Sequence, residues 1–197
     1  GAMRKILDNI GLEYTEAAGE AAFYGPKLDI QGKNVYGKED TLVTIQIDMM
    51  LAQRFGMTYI DQNNQAVYPY IIHRTSLGCY ERTIALLIEK YGGALPTWLS
   101  PEQVRILPIT EDQNEYAEEI KKKLLRCGFR PEVDSRYEKI GFKIREAQLE
   151  KVPYMLVVGA KEMEEGKVAV RSRKEGDLGA VALDEFIAKL HEEVDNK

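Results

Sequence analysis

Cysteine and histidine are scarce in this sequence, and neither forms a recognisable metal or disulfide framework. The chain of 197 residues has two cysteines, Cys79 and Cys127, which lie 48 positions apart and outside any CxxC pair. That spacing argues against a disulfide scaffold and a cysteine zinc site, and it favours a reducing compartment. No segment approaches the roughly 18 consecutive apolar residues of a membrane span, and the first residues do not open a signal peptide. The composition therefore argues against a secreted mini-protein and a membrane protein.

Common catalytic and nucleotide-binding motifs are also missing. The sequence contains no GxxxxGK[ST], GxGxxG, HExxH or GxSxG, which excludes a P-loop, a Rossmann fingerprint, a zincin site and a nucleophile elbow. The net charge is −5. A nucleic-acid partner would therefore have to be bound by a local basic surface and not by the charge of the whole chain.

The density of charge divides the chain into two parts. Residues 1–100 carry 20 charged side chains, and residues 101–197 carry 39. The change falls at residues 95–101, where two prolines bracket a short apolar segment, a pattern typical of a domain connection. The opening Gly-Ala-Met resembles the remnant of a cleaved expression tag. We therefore predict a tag remnant at 1–3, a first domain at 4–98 and a second domain at 99–197.

The second domain alternates strand-like and helix-like segments, which is typical of an α/β fold. Its strand candidates are the apolar or alternating runs at 104–109, 130–135, 153–159 and 167–173. Its helix candidates carry apolar residues at helical spacing between Tyr116 and Leu124, between Ile140 and Ala147, and between Leu183 and Val194. This order predicts a small domain with a mixed, mainly parallel sheet.

The first domain is predicted to contain several strands followed by one helix. The strand-like runs are 22–24, 27–31, 42–48 and 68–73, and the apolar face of the helix is formed by Leu77, Tyr80, Ile84, Leu87 and Tyr91. These elements predict a piece of an antiparallel α+β domain. Because a single helix cannot cover such a sheet, one apolar face is left exposed. This half of the chain is therefore expected to be a fragment of a larger structure.

Two clusters in the first domain carry side chains suited to chemistry. In the turn Tyr24-Gly25-Pro26-Lys27, a rigid backbone presents a phenol and an ammonium together; the alternative is an ordinary hairpin turn. In the second cluster His73 ends an apolar run, and Arg82 follows Gly78 by one helical turn, a placement suited to phosphate or base contacts. The alternative there is a core histidine and a surface ion-pair partner, since no second and third ligand at zinc spacing are present.

A third cluster is a basic stretch in an acidic chain. Residues 139–174 contain nine lysines and arginines against five glutamates. Such a local excess of positive charge suits an RNA backbone. A solvated helix face with an exposed strand edge is the structural alternative.

In order and spacing, the motifs of this chain resemble those of the threonyl-tRNA synthetases, a family of class II aminoacyl-tRNA synthetases. The resemblance covers the chain after the opening Gly-Ala-Met. The segments that carry it are 20–27 (EAAFYGPK), 44–48 (TIQID), 72–74 (IHR), 78–82 (GCYER), 96–99 (PTWL), 138–146 (EKIGFKIRE), 152–159 (VPYMLVVG) and 166–171 (GKVAVR). The second half alone also suits the related prolyl, glycyl and histidyl enzymes, and the first half selects threonine.

For the first half, the resemblance implies the C-terminal part of the antiparallel catalytic domain, with residues for adenylate chemistry. Arg82, with Gly78, matches motif 3 and would lie against ATP. Gln46 matches a position near the adenylate, and Tyr24 and Lys27 match a turn that lines the threonine and adenylate pocket. His73 matches a zinc ligand whose two companion ligands lie outside this chain. Catalytic roles are thus expected for Arg82, Lys27 and Tyr24.

For the second half, the resemblance implies an anticodon-binding domain. Glu162 and Arg171 match positions that contact anticodon bases, and Lys139 and Lys143 are expected to bind neighbouring phosphates or bases. Tyr137 stands where a smaller amide is expected, and its ring could stack on a base. Cys79 and Thr41 depart from the family pattern in the substrate pocket.

The resemblance also implies what the whole enzyme uses. A full-length enzyme would take threonine, Mg²⁺-ATP and tRNA(Thr), hold Zn²⁺, act in the cytoplasm without a membrane and form a homodimer. Motifs 1 and 2 lie upstream of the matched region. The chain is therefore expected to be a C-terminal fragment that binds the tRNA anticodon, forms no threonyl-adenylate and holds no zinc tightly.

Two other hypotheses remain open. According to the first hypothesis, the chain is a stand-alone non-catalytic RNA-binding paralogue of a synthetase. In the other, the second half binds a protein partner. Upstream motifs in the native gene distinguish the first from a ligase, and a steep salt dependence of binding distinguishes RNA from a protein partner.

Overall fold

The computed structural model describes residues 2–196, and its backbone contacts divide it into two compact units. The N-terminal unit extends to Leu86, and the C-terminal unit begins at Leu87. The division falls inside a helix, Tyr80–Tyr91. Of the three residues interpreted as a tag remnant, Gly1 lies outside the described residues, and Ala2 and Met3 belong to the first helix.

The N-terminal unit is built around an antiparallel sheet of three strands in the order β1-β2-β5. Strand β1 spans Lys27–Lys33, β2 spans Glu39–Asp48 and β5 spans Ile71–Arg74. The other elements are the helices α1 (Ala2–Ile10), α2 (Leu51–Arg54) and α3 (Tyr80–Tyr91), with a small hairpin of β3 (Tyr59–Ile60) and β4 (Ala66–Val67). The predicted antiparallel α+β arrangement is confirmed.

Large apolar side chains remain exposed in this unit. Ile72 on β5 and Ile84 on α3 are each more than half exposed. In the part of the N-terminal unit that the structure describes, only Leu7 and Ala52 count among the buried apolar residues. The N-terminal unit therefore has an exposed apolar surface, as the sequence predicts.

The C-terminal unit contains one sheet of five strands in the order β10-β9-β8-β6-β7. The strands are β6 (Val104–Pro108), β7 (Pro131–Val133), β8 (Tyr154–Val158), β9 (Lys167–Ser172) and β10 (Gly176–Ala182). Strand β6 pairs in parallel with β7 and β8, whereas β9 pairs antiparallel with β8 and β10. The prediction of a mixed sheet is therefore confirmed, but the sheet is not mainly parallel, since β6 carries both parallel pairings and β9 carries both antiparallel ones.

Helices cover both faces of this sheet. On one face, α4 (Asn114–Arg126) and α7 (Leu183–Asp195) bury apolar residues against Ile106, Leu156 and Val170. On the opposite face, α5 (Ile140–Leu149) packs against Leu107 and Met155. The short helix α6 (Ala160–Glu165) follows β8. Apolar strands buried on both faces explain the continuous apolar runs of β6 and β8.

Several predicted elements differ from the structure. Residues 22–24 form no strand and contribute only a bridge between Ala22 and Gly25. The helix predicted from Leu77 begins at Tyr80, and the helix α6 and the strand β10 were not predicted. Within residues 2–196, no helix combines the length and the apolar character needed to cross a lipid bilayer.

Candidate functional site

One face of the N-terminal sheet collects the polar residues that the sequence singled out. In the strand register, Lys27 lies opposite Gln46, and Gln46 lies opposite His73. Residues that pair directly across neighbouring strands point to the same side of a sheet. The sheet therefore brings an ammonium, an amide and an imidazole into one row.

The turn before β1 adds Tyr24 to this row. Gly25 has φ +155°, and a Cβ there would lie 1.9 Å from the carbonyl oxygen of Ile47, so a side chain cannot be accommodated. This close approach lets the Tyr24 hydroxyl donate to Oε1 of Gln46 at 2.6 Å. The ring centroids of Tyr24 and His73 are 6.1 Å apart. The turn is thus part of the polar face and not a simple connection.

Lys27 is held by a carboxylate on its own strand. Its Nζ lies 2.7 Å from Oδ2 of Asp29, and the hydroxyl of Thr44 donates to Oδ1 of Asp29 at 2.8 Å. The hydrogen bond with Asp29 raises the pKa of Lys27. Burial opposes ionisation of Asp29, yet the hydrogen bonds from Lys27 and Thr44 lower its pKa. The pair is therefore charged at neutral pH.

His73 contacts a carboxylate that is itself tightly held. Oδ1 of Asp48 accepts from the backbone N–H groups of Met50 at 2.8 Å and Leu51 at 2.9 Å, and Oδ2 lies 3.1 Å from Nε2 of His73. The N–H of Leu51 contributes most to lowering the pKa of Asp48, and the contact with His73 adds to it. The carboxylate therefore orients the imidazole ring.

The residues around His73 do not by themselves form a metal centre. Among residues 2–196, no three histidine, cysteine, aspartate or glutamate side chains are grouped in a way that could hold a metal ion. A structural or catalytic zinc site normally needs at least three protein ligands. His73 supplies one donor, so it fits only part of such a site. An open depression beside it is lined by Thr44, Gln46, Ile72, His73, Arg74 and Thr75.

Gly78, before helix α3, and Arg82, within it, contact the first part of strand β2. Gly78 has φ +64°, and a Cβ there would lie 1.8 Å from the carbonyl oxygen of Leu42. Nη1 of Arg82 donates to the carbonyl oxygen of Thr41 at 2.7 Å. At about 3.3 Å per residue, Thr41 and Gln46 lie roughly 16 Å apart along β2. The structure therefore places the predicted arginine near the start of β2 and the polar row near its end.

In the C-terminal unit, three of the residues singled out from the sequence lie where the chain leaves the sheet. Lys139 is the residue immediately before α5, and Tyr137, two residues earlier, is 91% exposed. Glu162 lies in α6, directly after β8, where its Oε2 accepts from the N–H of Gly159 at 3.0 Å. Ligands of open α/β sheets bind at the carboxyl ends of the strands, where these connections lie.

Arg171 lies on β9, on the side of the sheet covered by α5. It is paired in register with Met155, a residue of the cluster under that helix. Its Nη1 lies 3.0 Å from Oδ2 of Asp177. Among the described residues, Nε of Arg171 is the only buried side-chain nitrogen or oxygen without a hydrogen-bond partner. The guanidinium is thus only partly satisfied within the protein.

Lys143 occupies a different environment from the one expected. Its side chain is buried, and Nζ donates to the carbonyl oxygens of Pro108 at 3.0 Å and Asp134 at 2.9 Å. Burial lowers its pKa. An ammonium enclosed by these carbonyls does not face RNA phosphates, so the expected phosphate contact does not fit the described conformation.

Sequence reasoning missed the carboxylates that organise both sites. Asp29 and Asp48 orient Lys27 and His73, and Asp134 binds Arg136. A signal for Asp48 was present in β2, where Thr44, Gln46 and Asp48 alternate with isoleucines. That alternation indicates one polar face of a strand.

Two family profiles match consecutive parts of the chain. The profile described as tRNA synthetase class II core domain (G, H, P, S and T) matches residues 2–91. The profile described as anticodon binding domain matches residues 103–193. The two matches correspond to the polar sheet of the N-terminal unit and to the α/β sheet of the C-terminal unit.

Curated relatives are similar along almost the entire chain. Threonine–tRNA ligase of Clostridium botulinum (strain Eklund 17B / Type B) is 60% identical over 195 residues, and that of Clostridium perfringens (strain SM101 / Type A) is 58% identical. Each match covers 99% of this chain and 30% of the relative. The chain thus spans about a third of the length of these relatives.

Two solved structures share the fold. The RNA binding domain of threonyl-tRNA synthetase from Cryptosporidium parvum Iowa II has a TM-score of 0.85 and 38% identity, over 98% of this chain and 48% of that chain. Prolyl-tRNA synthetase from Cryptosporidium parvum has a TM-score of 0.72 at 24% identity, over 92% of this chain and 40% of that chain, and supports the fold alone. Together with the two profiles and the curated relatives, these similarities place the chain in the threonine–tRNA ligase family of class II aminoacyl-tRNA synthetases.

Proposed function

We propose that this chain belongs to an enzyme that activates threonine with Mg²⁺-ATP and transfers it to tRNA(Thr), and that residues 99–197 bind the anticodon. The observation that carries the proposal is 60% identity to a threonine–tRNA ligase over 99% of the chain. The match of residues 103–193 to an anticodon-binding profile supports the second part. We place residues 4–98 in the catalytic domain of the enzyme.

The polar row of the N-terminal sheet is proposed to line the threonyl-adenylate site. The Tyr24 hydroxyl and the Gln46 amide, joined by a 2.6 Å hydrogen bond, form a fixed polar pair. The ammonium of Lys27 adds a positive charge held by Asp29. Fixed dipoles and charges lower the cost of developing negative charge, because they need no reorganisation during the reaction. No protein nucleophile is needed for this acyl transfer.

Gly78 and Arg82 are proposed to contact ATP. Gly78 lets the backbone come close to Leu42, and the helix that follows carries Arg82, whose guanidinium is exposed. An arginine suits this role because its planar cation binds phosphates and stacks on a base. The rings and phosphates of bound ATP would replace water around this side chain.

Zinc is proposed for the full-length enzyme only. His73 would hold it through a ring nitrogen, and Asp48 would keep the ring oriented, as carboxylates do for many metal-binding histidines. A bound zinc ion would coordinate the amine and hydroxyl of threonine and thereby reject valine. With one donor in place, the chain alone is proposed to hold zinc weakly.

The chain alone is proposed to be catalytically inactive. Motifs 1 and 2 of the class, which supply dimer contacts and an arginine at the α-phosphate, have no counterpart among the segments that carry the resemblance. The expected result is no threonine-dependent pyrophosphate exchange above background. Clear exchange that requires threonine would contradict this part of the proposal. The complete enzyme is proposed to be a cytoplasmic homodimer.

In the C-terminal unit, Glu162 and Arg171 are proposed to contact anticodon bases and Lys139 a neighbouring phosphate. The partial exposure of Arg171 supports this role, since its side chain is 31% exposed beside Asp177 and an exposed guanidinium N–H can donate to an external acceptor. Lys143 is proposed to act inside the domain, because its ammonium is enclosed.

Substitution of Arg171 tests the anticodon proposal. Arg171→Met is expected to weaken binding of tRNA(Thr) about tenfold or more, in the range of 1–3 kcal/mol for a lost base contact. Arg126→Met is the matched control, because Arg126 is exposed on α4, across the sheet from α5. Equal effects of the two substitutions would contradict a base contact by Arg171 and leave only general attraction to RNA.

A further inference from the structure

Lys143 has a position and a set of partners that a surface lysine does not have. Its side chain is 3% exposed, and its ammonium donates to two backbone carbonyls. Lysine is almost never fully buried unless it is paired, and removing an ammonium from water costs free energy. Hydrogen bonds that no apolar side chain can make therefore account for a lysine at this place.

The two carbonyls mark the carboxyl ends of adjacent parallel strands. Pro108 is the last residue of β6, and Asp134 follows β7 directly. The N–H of Asp134 also donates to the carbonyl oxygen of Ile106 at 3.0 Å. The ammonium thus fixes the point at which the chain leaves the sheet. We call the segment from Asp134 to Lys139 the exit loop.

A second set of contacts closes the exit loop. Oδ1 of Asp134 accepts from N of Arg136 at 3.2 Å and from Nε at 2.8 Å, and Oδ2 accepts from Nη2 at 2.7 Å. Nη2 of Arg136 also donates to Glu146 on α5. These bonds with Arg136 are the main reason that the pKa of Asp134 is lowered. The loop is therefore tied to the sheet by Lys143 and to the helix by Arg136.

The tip of the exit loop presents groups suited to a single-stranded nucleotide. The ring of Tyr137 is 91% exposed, and Lys139 stands at the start of α5. An aromatic ring stacks on a base of any sequence, at about 1–3 kcal/mol per base. A backbone that is already ordered loses less entropy when RNA binds. The contacts that anchor the loop and the exposed ring of Tyr137 are therefore both suited to binding single-stranded RNA.

We infer that Lys143 is a positioning residue, which holds the exit loop so that Tyr137 stacks on a base of bound RNA and Lys139 reaches a neighbouring phosphate. This inference rests on the proposed binding of the tRNA anticodon. Lys143 itself touches no RNA, and it acts through the carbonyl oxygens of Pro108 and Asp134. Its effect on affinity therefore does not depend on salt, whereas that of a phosphate-binding lysine does.

Salt-dependent binding separates these roles. Binding of an anticodon stem-loop of tRNA(Thr) to the full chain is measured at several salt concentrations. Lys143→Met removes the donor at similar side-chain length and is expected to lower affinity about tenfold, since the loop is no longer held for binding, with the salt slope unchanged. Lys139→Met is expected to reduce the slope by about one phosphate contact. Lys122→Met, at an exposed position on α4, is the control for general charge loss.

A second readout needs no RNA. A readout of the exit loop is amide hydrogen exchange at Asp134, Arg136 and Glu138, whose N–H groups donate to the Ile106 carbonyl, Oδ1 of Asp134 and the Arg136 carbonyl. Exchange at these amides is expected to be slow in the unsubstituted chain and to accelerate in Lys143→Met, with the amides of β6 unchanged. Lys143→Arg, which keeps the charge and the donors, is expected to restore slow exchange at least in part. If Lys143→Met does not fold, the unsubstituted chain and Lys143→Arg decide the question.

Two results would overturn the inference. One is fast exchange at the amides of Asp134, Arg136 and Glu138 in the unsubstituted chain. The other is a Lys143→Met protein that retains full affinity and slow loop exchange, or that loses salt slope as Lys139→Met does. If the unsubstituted chain binds no anticodon stem-loop, the proposed function fails, and the exchange readout still decides whether Lys143 holds the loop.

Discussion

At the scale of single residues, two glycines with the same backbone angle have different surroundings. Gly78 and Gly56 both have φ +64°. A Cβ at Gly78 would lie 1.8 Å from the carbonyl oxygen of Leu42, whereas a Cβ at Gly56 meets nothing within 4 Å. The pair therefore separates the cost of the left-handed backbone from the cost of a steric clash with strand β2.

We predict that Gly78→Ala destabilises the N-terminal unit more than Gly56→Ala does. The left-handed conformation costs about 1 kcal/mol for alanine at either position, and the clash at Gly78 adds about 2 kcal/mol or more. Hydrogen exchange at the amides of Val43 and Ile45 on β2 gives the free energy of local opening. Equal losses for both substitutions would show that strand β2 moves away from Gly78 at little cost.

Asp134 gives the C-terminal unit an acid-sensitive contact. Its pKa is lowered by the hydrogen bond from Arg136, despite partial burial. A carboxyl with a lowered folded pKa contributes stability above its unfolded pKa of about 3.9, and that stability is lost as pH falls through the folded pKa.

We predict that Asp134→Asn flattens the acid limb of stability. In the unsubstituted chain, the free energy of unfolding should fall as pH drops from about 5 through the lowered pKa of Asp134. The asparagine variant should be less stable at neutral pH and lose less on acidification. Urea unfolding at a series of pH values measures both. Parallel pH profiles for the two proteins would rule out this contribution of Asp134.

At the scale of elements, the last helix is fastened by one glutamate. On α7, Oε1 of Glu193 accepts from the hydroxyl of Thr97 and Oε2 accepts from that of Tyr154, each at 2.6 Å. Thr97 belongs to the turn Thr97–Leu99 that precedes β6. Burial, together with the bond to Glu193, raises the pKa of Tyr154. One side chain thus joins a helix, a turn and a central strand.

We predict that Glu193→Ala lowers the free energy of unfolding of the C-terminal unit by about 2 kcal/mol, because it leaves two hydroxyls without their acceptor. Glu192→Ala removes the neighbouring, exposed carboxylate on the same helix and is expected to change it by less than about 0.5 kcal/mol. Urea unfolding followed by fluorescence of Trp98, the one tryptophan of the chain, measures both. A similar loss in the two variants would mean that Glu193 does not fasten the helix.

The elements that were predicted from sequence are those with strong apolar periodicity. Strands β6, β8 and β9 and helices α4, α5 and α7 are marked by continuous or regularly spaced apolar residues. Strand β10 (GDLGAVA) is not marked, since its glycines are poor strand formers and a register shift interrupts its pairing with β9 between Asp177 and Gly179. Its place beside β9 is determined by tertiary pairing and not by local preference.

In the candidate sites too, local sequence indicates some features, and tertiary packing determines others. The motif positions of Tyr24, Gln46 and His73 indicated a common site; the strand register pairs Gln46 with His73, and a hydrogen bond joins Tyr24 to Gln46. The burial of Lys143 was not predicted, because a lysine in a basic stretch is normally exposed. A signal existed in α5, where Lys143 falls between Ile140 and Ala147 on the apolar stripe. Only packing against the sheet shows that the stripe includes the lysine.

At the scale of the whole molecule, the net charge is negative, but one segment carries an excess of positive charge. The chain carries −5 overall, while residues 139–174 hold nine basic and five acidic side chains. Part of that basic charge is used internally, since Lys143 binds two carbonyls and Arg173 donates to the carbonyl oxygen of Leu95 at 2.7 Å. RNA binding by this unit should therefore involve fewer phosphates than its nine basic side chains suggest, with specificity carried by base contacts.

Anticodon recognition by the C-terminal unit is tested by measuring the affinity of the full chain for tRNA(Thr) and for the same tRNA with an altered anticodon, at two salt concentrations. We predict tighter binding to the native anticodon at both salt concentrations, with a ratio of affinities that changes little because base contacts determine it. Equal affinities for the two tRNAs at both salt concentrations would contradict the claim that the C-terminal unit of this chain recognises the anticodon.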